Sequence, residues 1–125
     1  MRIITFNCNG IRAAARKGFF EWLPTAEADV ICLQETKAQE HQLTDALFRP
    51  EGYHCYYFDA EKKGYAGTAL YSREKPSKIL RGTGFPIADT EGRYIQADYP
   101  GLSVVSLYLP SGSSGPERQE RKIAF

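Results

Sequence analysis

The sequence has too few cysteines to be held together by them. Cys8, Cys32 and Cys55 form no C-x-x-C pair, which excludes the usual structural zinc sites. An odd count also gives no disulfide framework, and free thiols suit a reducing compartment, so a cytoplasmic location is expected. No apolar run approaches the roughly 20 residues needed to span a bilayer. No apolar leader of signal-peptide type precedes the first strand-like run. An excess of either charge is missing too: the formal net charge is +1 and the isoelectric point about 7.7. Bulk charge therefore argues neither for nor against a nucleic-acid partner, and any basic patch must be local. The loop Ser111-Gly112-Ser113-Ser114-Gly115 lacks the lysine of a phosphate-cradling P-loop. His41 and His54 sit in no nucleophile–base arrangement.

What is present reads as a globular chain of one-domain length. Arg2 to Phe6 is rich in β-branched residues and predicts a buried strand, and Val30 to Leu33 a second. Between them, Ile11 to Leu23 carries apolar residues at roughly helical spacing, weakened at Gly18 and ended by Pro24. Gln39 to Phe48 predicts another helix, with Leu43, Leu47 and Phe48 on one side. Strands are expected at Tyr53 to Phe58, at Thr68 to Tyr71 and at Pro76 to Leu80. Tyr94 to Tyr99 and Leu102 to Leu107 predict a hairpin across Pro100-Gly101, and Pro116 suits a helix start. Two β-α units followed by a succession of strands point to an α/β chain with a mixed sheet and helices on one face. Too few helices are present to cover both faces of such a sheet. An uncovered face is therefore expected, to be met by further protein or by another chain.

Two polar motifs each follow an apolar strand. Phe6-Asn7-Cys8-Asn9-Gly10 ends the first, and Leu33-Gln34-Glu35-Thr36-Lys37 ends the second. Asn7 and Asn9 either make an Asx-turn with Gly10 at positive φ or present amide oxygens. A carboxylate beside a buried strand needs a partner or a metal; Lys37 is one such partner. Hard oxygens gathered at one sheet edge suit a magnesium ion with a phosphate. Tyr65 is either a turn aromatic or a surface for nucleic acid. Arg93 is either a solvated turn charge or a phosphate contact, and Tyr108 either a half-buried strand-end residue or a site residue.

Five segments in order resemble the exonuclease III type of apurinic/apyrimidinic endonuclease, within the exonuclease-endonuclease-phosphatase superfamily. They are Phe6-Asn7-Cys8-Asn9-Gly10-Ile11-Arg12, Leu33-Gln34-Glu35-Thr36-Lys37, Gly64-Tyr65-Ala66-Gly67-Thr68-Ala69-Leu70-Tyr71-Ser72-Arg73, Glu91-Gly92-Arg93 and Tyr108-Leu109-Pro110-Ser111. The resemblance implies residues 1–125 of a partial domain: the N-terminal half of a four-layer αββα sandwich, supplying one sheet. It implies cleavage of double-stranded DNA at abasic sites and trimming of 3′ ends, with magnesium, or manganese in its place. Carried over, Glu35 is the metal-binding carboxylate. Asn9 stands where many relatives have a second metal-linked acid and others asparagine. Asn7 is the asparagine that orients the catalytic aspartate, Lys37 a lysine near the metal cluster, and Tyr108 the tyrosine near the scissile phosphate. Arg12, Tyr65 and Arg93 are DNA-backbone residues. Ser111 replaces an asparagine common in the family. The later G-D-x-N and S-D-H segments that the resemblance calls for do not occur in the 125 residues. The chain alone is therefore expected to be nearly inactive, with a DNA-binding or chain-pairing fragment as the alternative.

Overall fold

The computed structural model describes residues 1–109; the Ser111–Gly115 loop and the helix expected from Pro116 lie outside them. The apolar run Ile3–Asn7 forms β1, which lies parallel to β2 (Val30–Gln34) with Ile3 opposite Val30 and Asn7 opposite Gln34. The crossover between them is two short helices, α1 (Ile11–Arg16) and α2 (Phe19–Trp22). They are separated where Gly18 adopts φ +95°, a left-handed turn that glycine takes at little cost. A 3-10 turn, Leu23–Ala26, with Pro24 near its start, then ends the helical run.

β3 (His54–Phe58) and β4 (Thr68–Ser72) complete a four-stranded mixed sheet in the order β1-β2-β4-β3, with β4 antiparallel to both neighbours. The helix expected between Gln39 and Phe48 is instead two 3-10 turns, Glu40–Gln42 and Ala46–Phe48. Local side chains explain the break. Gln39 and Gln42 close a capping box on the first turn. Asp45 is extended and its Oδ1 accepts from the Leu47 amide at 2.9 Å, so a side chain competes with the helical ladder. Leu43 and Phe48 are buried as the spacing predicted, while Leu47 is exposed.

β5 (Lys78–Arg81), β6 (Tyr94–Tyr99) and β7 (Leu102–Leu107) form a second, antiparallel sheet, preceded at β6 by the short α3 (Pro86–Thr90). The predicted β6–β7 hairpin is present, with Tyr99 opposite Leu102. A second sheet corrects the expectation of one, and with it the expectation that one face of the first sheet lies uncovered. The cause is in the alternation of β2 and β4. Ile31, Leu33, Ala69 and Tyr71 pack on the helical side with Ile11, Phe19, Phe20 and Leu23. Val30, Cys32 and Leu70 point the other way and meet Ile95, Ala97, Tyr99 and Val104 of the second sheet. β2 is consequently buried at all five positions, as a strand covered on both faces must be.

Each sheet has two edge strands, and β1 is one of them. β1 bonds only to β2, and Ile3 and Phe6 on it are 46% and 38% exposed. Phe6 stacks on Phe19 at 5.1 Å, with Trp22 beside Phe19. These rings and Cys8 line an open groove of about 490 Å³. No charge, proline or bulge protects this edge, contrary to the usual treatment of exposed strands.

Candidate active site at the ends of β1, β2 and β7

The backbone first brings the motifs together. The Gly10 and Ile11 amides donate to the carbonyls of Glu35 and Thr36 at 2.8 and 2.9 Å. The Lys37 amide donates to the Ala66 carbonyl at 2.8 Å, the Gly67 amide to Glu91 at 3.2 Å and the Tyr108 amide to Arg93 at 2.9 Å. All five motif segments are thus laced in series. Strain concentrates in the same place. Of the five described non-glycine residues at positive φ, four are Asn9, Glu35, Lys37 and Ala66. Each such residue costs about 1–3 kcal/mol and persists only where its surroundings over-determine it, as at functional sites.

Onto this frame the side chains converge on Glu35. Its Oε2 accepts from Asn7 Nδ2 at 3.1 Å, and Lys37 Nζ lies 3.2 Å from Oε1. The Tyr108 hydroxyl lies near enough to lower this carboxyl further. Lys37 Nζ reaches Asn9 Oδ1 at 2.8 Å, and the Asn9 amide donates to Asn7 Oδ1 at 2.9 Å. Burial opposes ionisation of Glu35, but the hydrogen bonds from Asn7, Lys37 and Tyr108 together outweigh it and hold the carboxyl below its ordinary range. Burial, and then the bond to Glu35, raise Tyr108, which stays a proton donor at neutral pH. Nearby, burial pushes the Cys8 thiol up to about 12, so it is no nucleophile.

Arg12 reaches the Lys37 carbonyl with Nη2 at 3.5 Å. It shares with Arg16, Lys37, Asn9 and Gly64 an open groove of about 470 Å³. This is the local basic patch that the neutral net charge conceals. Tyr65 and Arg93 lie behind Tyr108. Tyr65 is half-buried, and Arg93 is 2% exposed, with Cζ 4.8 Å from the Tyr108 ring centroid and 5.7 Å from that of Tyr65. The eight residues singled out in the sequence therefore form one neighbourhood, although Arg93 is enclosed and not at the surface.

The oxygens available for a cation are the Glu35 carboxylate and Asn9 Oδ1. Among the described residues no three His, Cys, Asp or Glu side chains form a group. A single carboxylate with amide oxygens fits magnesium, which keeps most of its water and leans on a phosphate; it does not fit zinc or a caged calcium.

Sequence reasoning missed several residues that hold this arrangement. Gln34 donates to Thr5 Oγ1 at 2.9 Å and to Ser106 Oγ at 3.2 Å, tying β1 and β7 to β2. Its signal was a glutamine ending an otherwise apolar strand. Thr36 is 2% exposed, and a side chain at Gly67 would sit 2.3 Å from its Oγ1. Glu91, which accepts from Arg93 Nε at 2.7 Å, had a signal in opening the Glu91-Gly92-Arg93 segment.

Comparison with known proteins agrees with this geometry. A profile of the Endonuclease/Exonuclease/phosphatase family matches residues 4–125. An exodeoxyribonuclease of Bacillus subtilis (strain 168) is 42% identical over 100% of this chain and 49% of its own length. A DNA-(apurinic or apyrimidinic site) endonuclease of Dictyostelium discoideum is 35% identical, across 98% of this chain and 34% of its own. Among solved structures, an AP endonuclease from Archaeoglobus fulgidus superposes with a TM-score of 0.80 at 32% identity, over 96% of this chain and 46% of that one. The chain thus spans about half the length of these relatives, or less. With a family profile matched across nearly all its residues and the fold of solved AP endonucleases, the chain belongs to the Endonuclease/Exonuclease/phosphatase family.

Proposed function

We propose that this chain, residues 1–125, is the first half of a magnesium-dependent DNA-repair nuclease that hydrolyses phosphodiesters at abasic sites and 3′ ends. One observation carries the reading: a carboxylate fixed by Asn7 and Lys37 opens, through Lys37 and Asn9, onto a groove lined by Arg12 and Arg16. Glu35, with Asn9, would hold magnesium, or manganese in its place. The ion, when bound, neutralises charge on the phosphoryl oxygens and stabilises the leaving oxygen. Asn7 and Lys37 keep the carboxylate ionised and oriented. Tyr108 holds a hydroxyl proton where it can be donated to a phosphate oxygen. Arg12 takes a phosphate of double-stranded DNA, which positions the strand without reading its sequence. The Tyr65 ring offers a face beside that strand. An abasic nucleotide enters such a site cheaply because it has little stacking to lose. The remaining half of the four-layer sandwich lies outside this sequence in the reading, and the free cysteines support a cytoplasmic setting.

Alone, the chain is proposed to cut slowly or not at all. The G-D-x-N and S-D-H segments are not in the sequence, and a positioned general base is worth about 10²–10⁴ in rate. A second reading, a fragment that binds DNA or pairs with another chain, is favoured by the open β1 edge and its apolar groove.

The salt dependence of duplex binding tests the DNA assignment. The chain is expected to bind a duplex with an abasic analogue, with log affinity falling linearly in log salt concentration. Arg12→Gln should reduce that slope by about 0.9, the loss of one phosphate contact. A slope unchanged by Arg12→Gln removes Arg12 from the interface.

A further inference from the structure

Arg93 turns its donors inward. Nε donates to Glu91 Oε1 at 2.7 Å, Nη1 to the backbone carbonyl of Tyr108 at 3.1 Å, and Nη2 to the Tyr65 hydroxyl at 3.0 Å. Its own carbonyl accepts from the Tyr108 amide at 2.9 Å. The guanidinium also lies against the Tyr108 ring, 4.8 Å from its centroid. One residue therefore grips Tyr108 at its amide, its carbonyl and its ring. The part of Tyr108 that Arg93 does not hold is the hydroxyl.

A phosphate would have to reach a guanidinium that is 2% exposed and already bonded along its outer fork to a carboxylate, a carbonyl and a phenol. We infer that Arg93 is a positioning residue for Tyr108 and does not contact the DNA backbone: the Glu91–Arg93–Tyr65 clamp fixes the main chain and ring of Tyr108. What Tyr108 does for a substrate rests on the proposed nuclease reading; the clamp rests on the geometry alone. The planar fork is the reason for arginine. A lysine ammonium keeps the charge but cannot span Glu91, Tyr65 and the Tyr108 carbonyl together, nor stack its head on a ring in the same way. The E-G-R turn thus acts through Tyr108.

The test reads Tyr108 directly in the full chain. All eight tyrosines are replaced by 3-fluorotyrosine, and the Tyr108 fluorine resonance is assigned from its loss in Tyr108→Phe. Arg93→Lys is expected to move and broaden that resonance. Tyr65→Phe, a milder change that removes one acceptor, should move it less. Arg12→Gln in the basic groove, and Leu43→Ala on the far side of the first sheet, should leave it in place; the latter does so while lowering stability. In parallel, Arg93→Gln should leave the salt slope of duplex binding unchanged. A Tyr108 resonance indifferent to both Arg93→Lys and Tyr65→Phe overturns the clamp. A slope reduced by about 0.9 in Arg93→Gln overturns it too, by making Arg93 a phosphate ligand. If Arg93→Gln does not fold, Arg93→Lys and Tyr65→Phe still decide. A chain that binds no duplex contradicts the nuclease reading and leaves the fluorine arm to decide the clamp.

Discussion

Gly92→Ala is expected to destabilise the chain by about 2–5 kcal/mol, and Gly52→Ala by only about 1–2 kcal/mol. Both glycines have positive φ, +60° and +87°. Both substitutions therefore carry the left-handed penalty of a β-carbon, about 1–2 kcal/mol. They differ in what that carbon meets. At Gly52 nothing lies within 4 Å. At Gly92 the new carbon would sit 2.3 Å from the Phe58 carbonyl oxygen, 2.7 Å from the Asp59 carbonyl carbon and 2.9 Å from its oxygen. All three are backbone atoms, so no side chain can swing aside, and overpacking of this kind adds about 1–3 kcal/mol. The consequence reaches the site. The Gly92 carbonyl accepts from buried Thr68 Oγ1 at 2.9 Å, and the next residue is Arg93. Urea unfolding of the two variants gives the comparison; equal costs at the two glycines would show that the E-G-R turn has room the structure does not allow it.

The second large effect concerns the carboxylate. Glu35→Gln is expected to weaken manganese binding about 100-fold or more, because the change deletes the charged oxygen proposed to hold the ion, whereas loss of a supporting partner alone costs about 10–100-fold. Asn7→Ala should fall in that lower range. Titration of the manganese electron-spin signal measures both. The pH dependence follows from the same contacts. Burial works against the charged form of Glu35, but its three donors prevail and its carboxyl titrates below the ordinary range. A depressed acid keeps its full contribution above its unfolded value and loses it as the pH falls through the folded one. Manganese binding should therefore hold through neutral pH and fade only in acid, below the ordinary range of a glutamate. Binding that already fades near pH 6 would mean that another group controls the site.

Much of this arrangement is legible from the chain alone. β-Branched strands with polar ends announce β1 and β2, and their parallel pairing follows from the helical crossover between them. The polar ends of β1 and β2 predict an amide cluster beside a carboxylate, and Asn7 donates to Glu35 there. The failures have physical causes. The spacing of Leu43, Leu47 and Phe48 suits a helix, yet Asp45 and Gln39 satisfy backbone amides locally and break it into two turns. Apolar residues on alternating faces read as an uncovered sheet, because a sequence does not say that its last three strands fold back over its first four. Arg93 reads as a solvated turn charge or a DNA contact because the carboxylate, carbonyl and two tyrosine rings that enclose it come from other parts of the chain, apart from adjacent Glu91. Gln34 ties three strands together for the same nonlocal reason.

The most direct measurement is incubation of the purified, folded chain with a duplex carrying one abasic analogue, first with magnesium and then with EDTA. The account predicts duplex binding that magnesium strengthens and EDTA reverses, with incision at least about 10²-fold below that of a full-length relative, since the sequence holds neither the G-D-x-N nor the S-D-H segment. Magnesium-dependent incision at a rate comparable with such a relative would contradict it, by showing that the residues around Glu35 suffice.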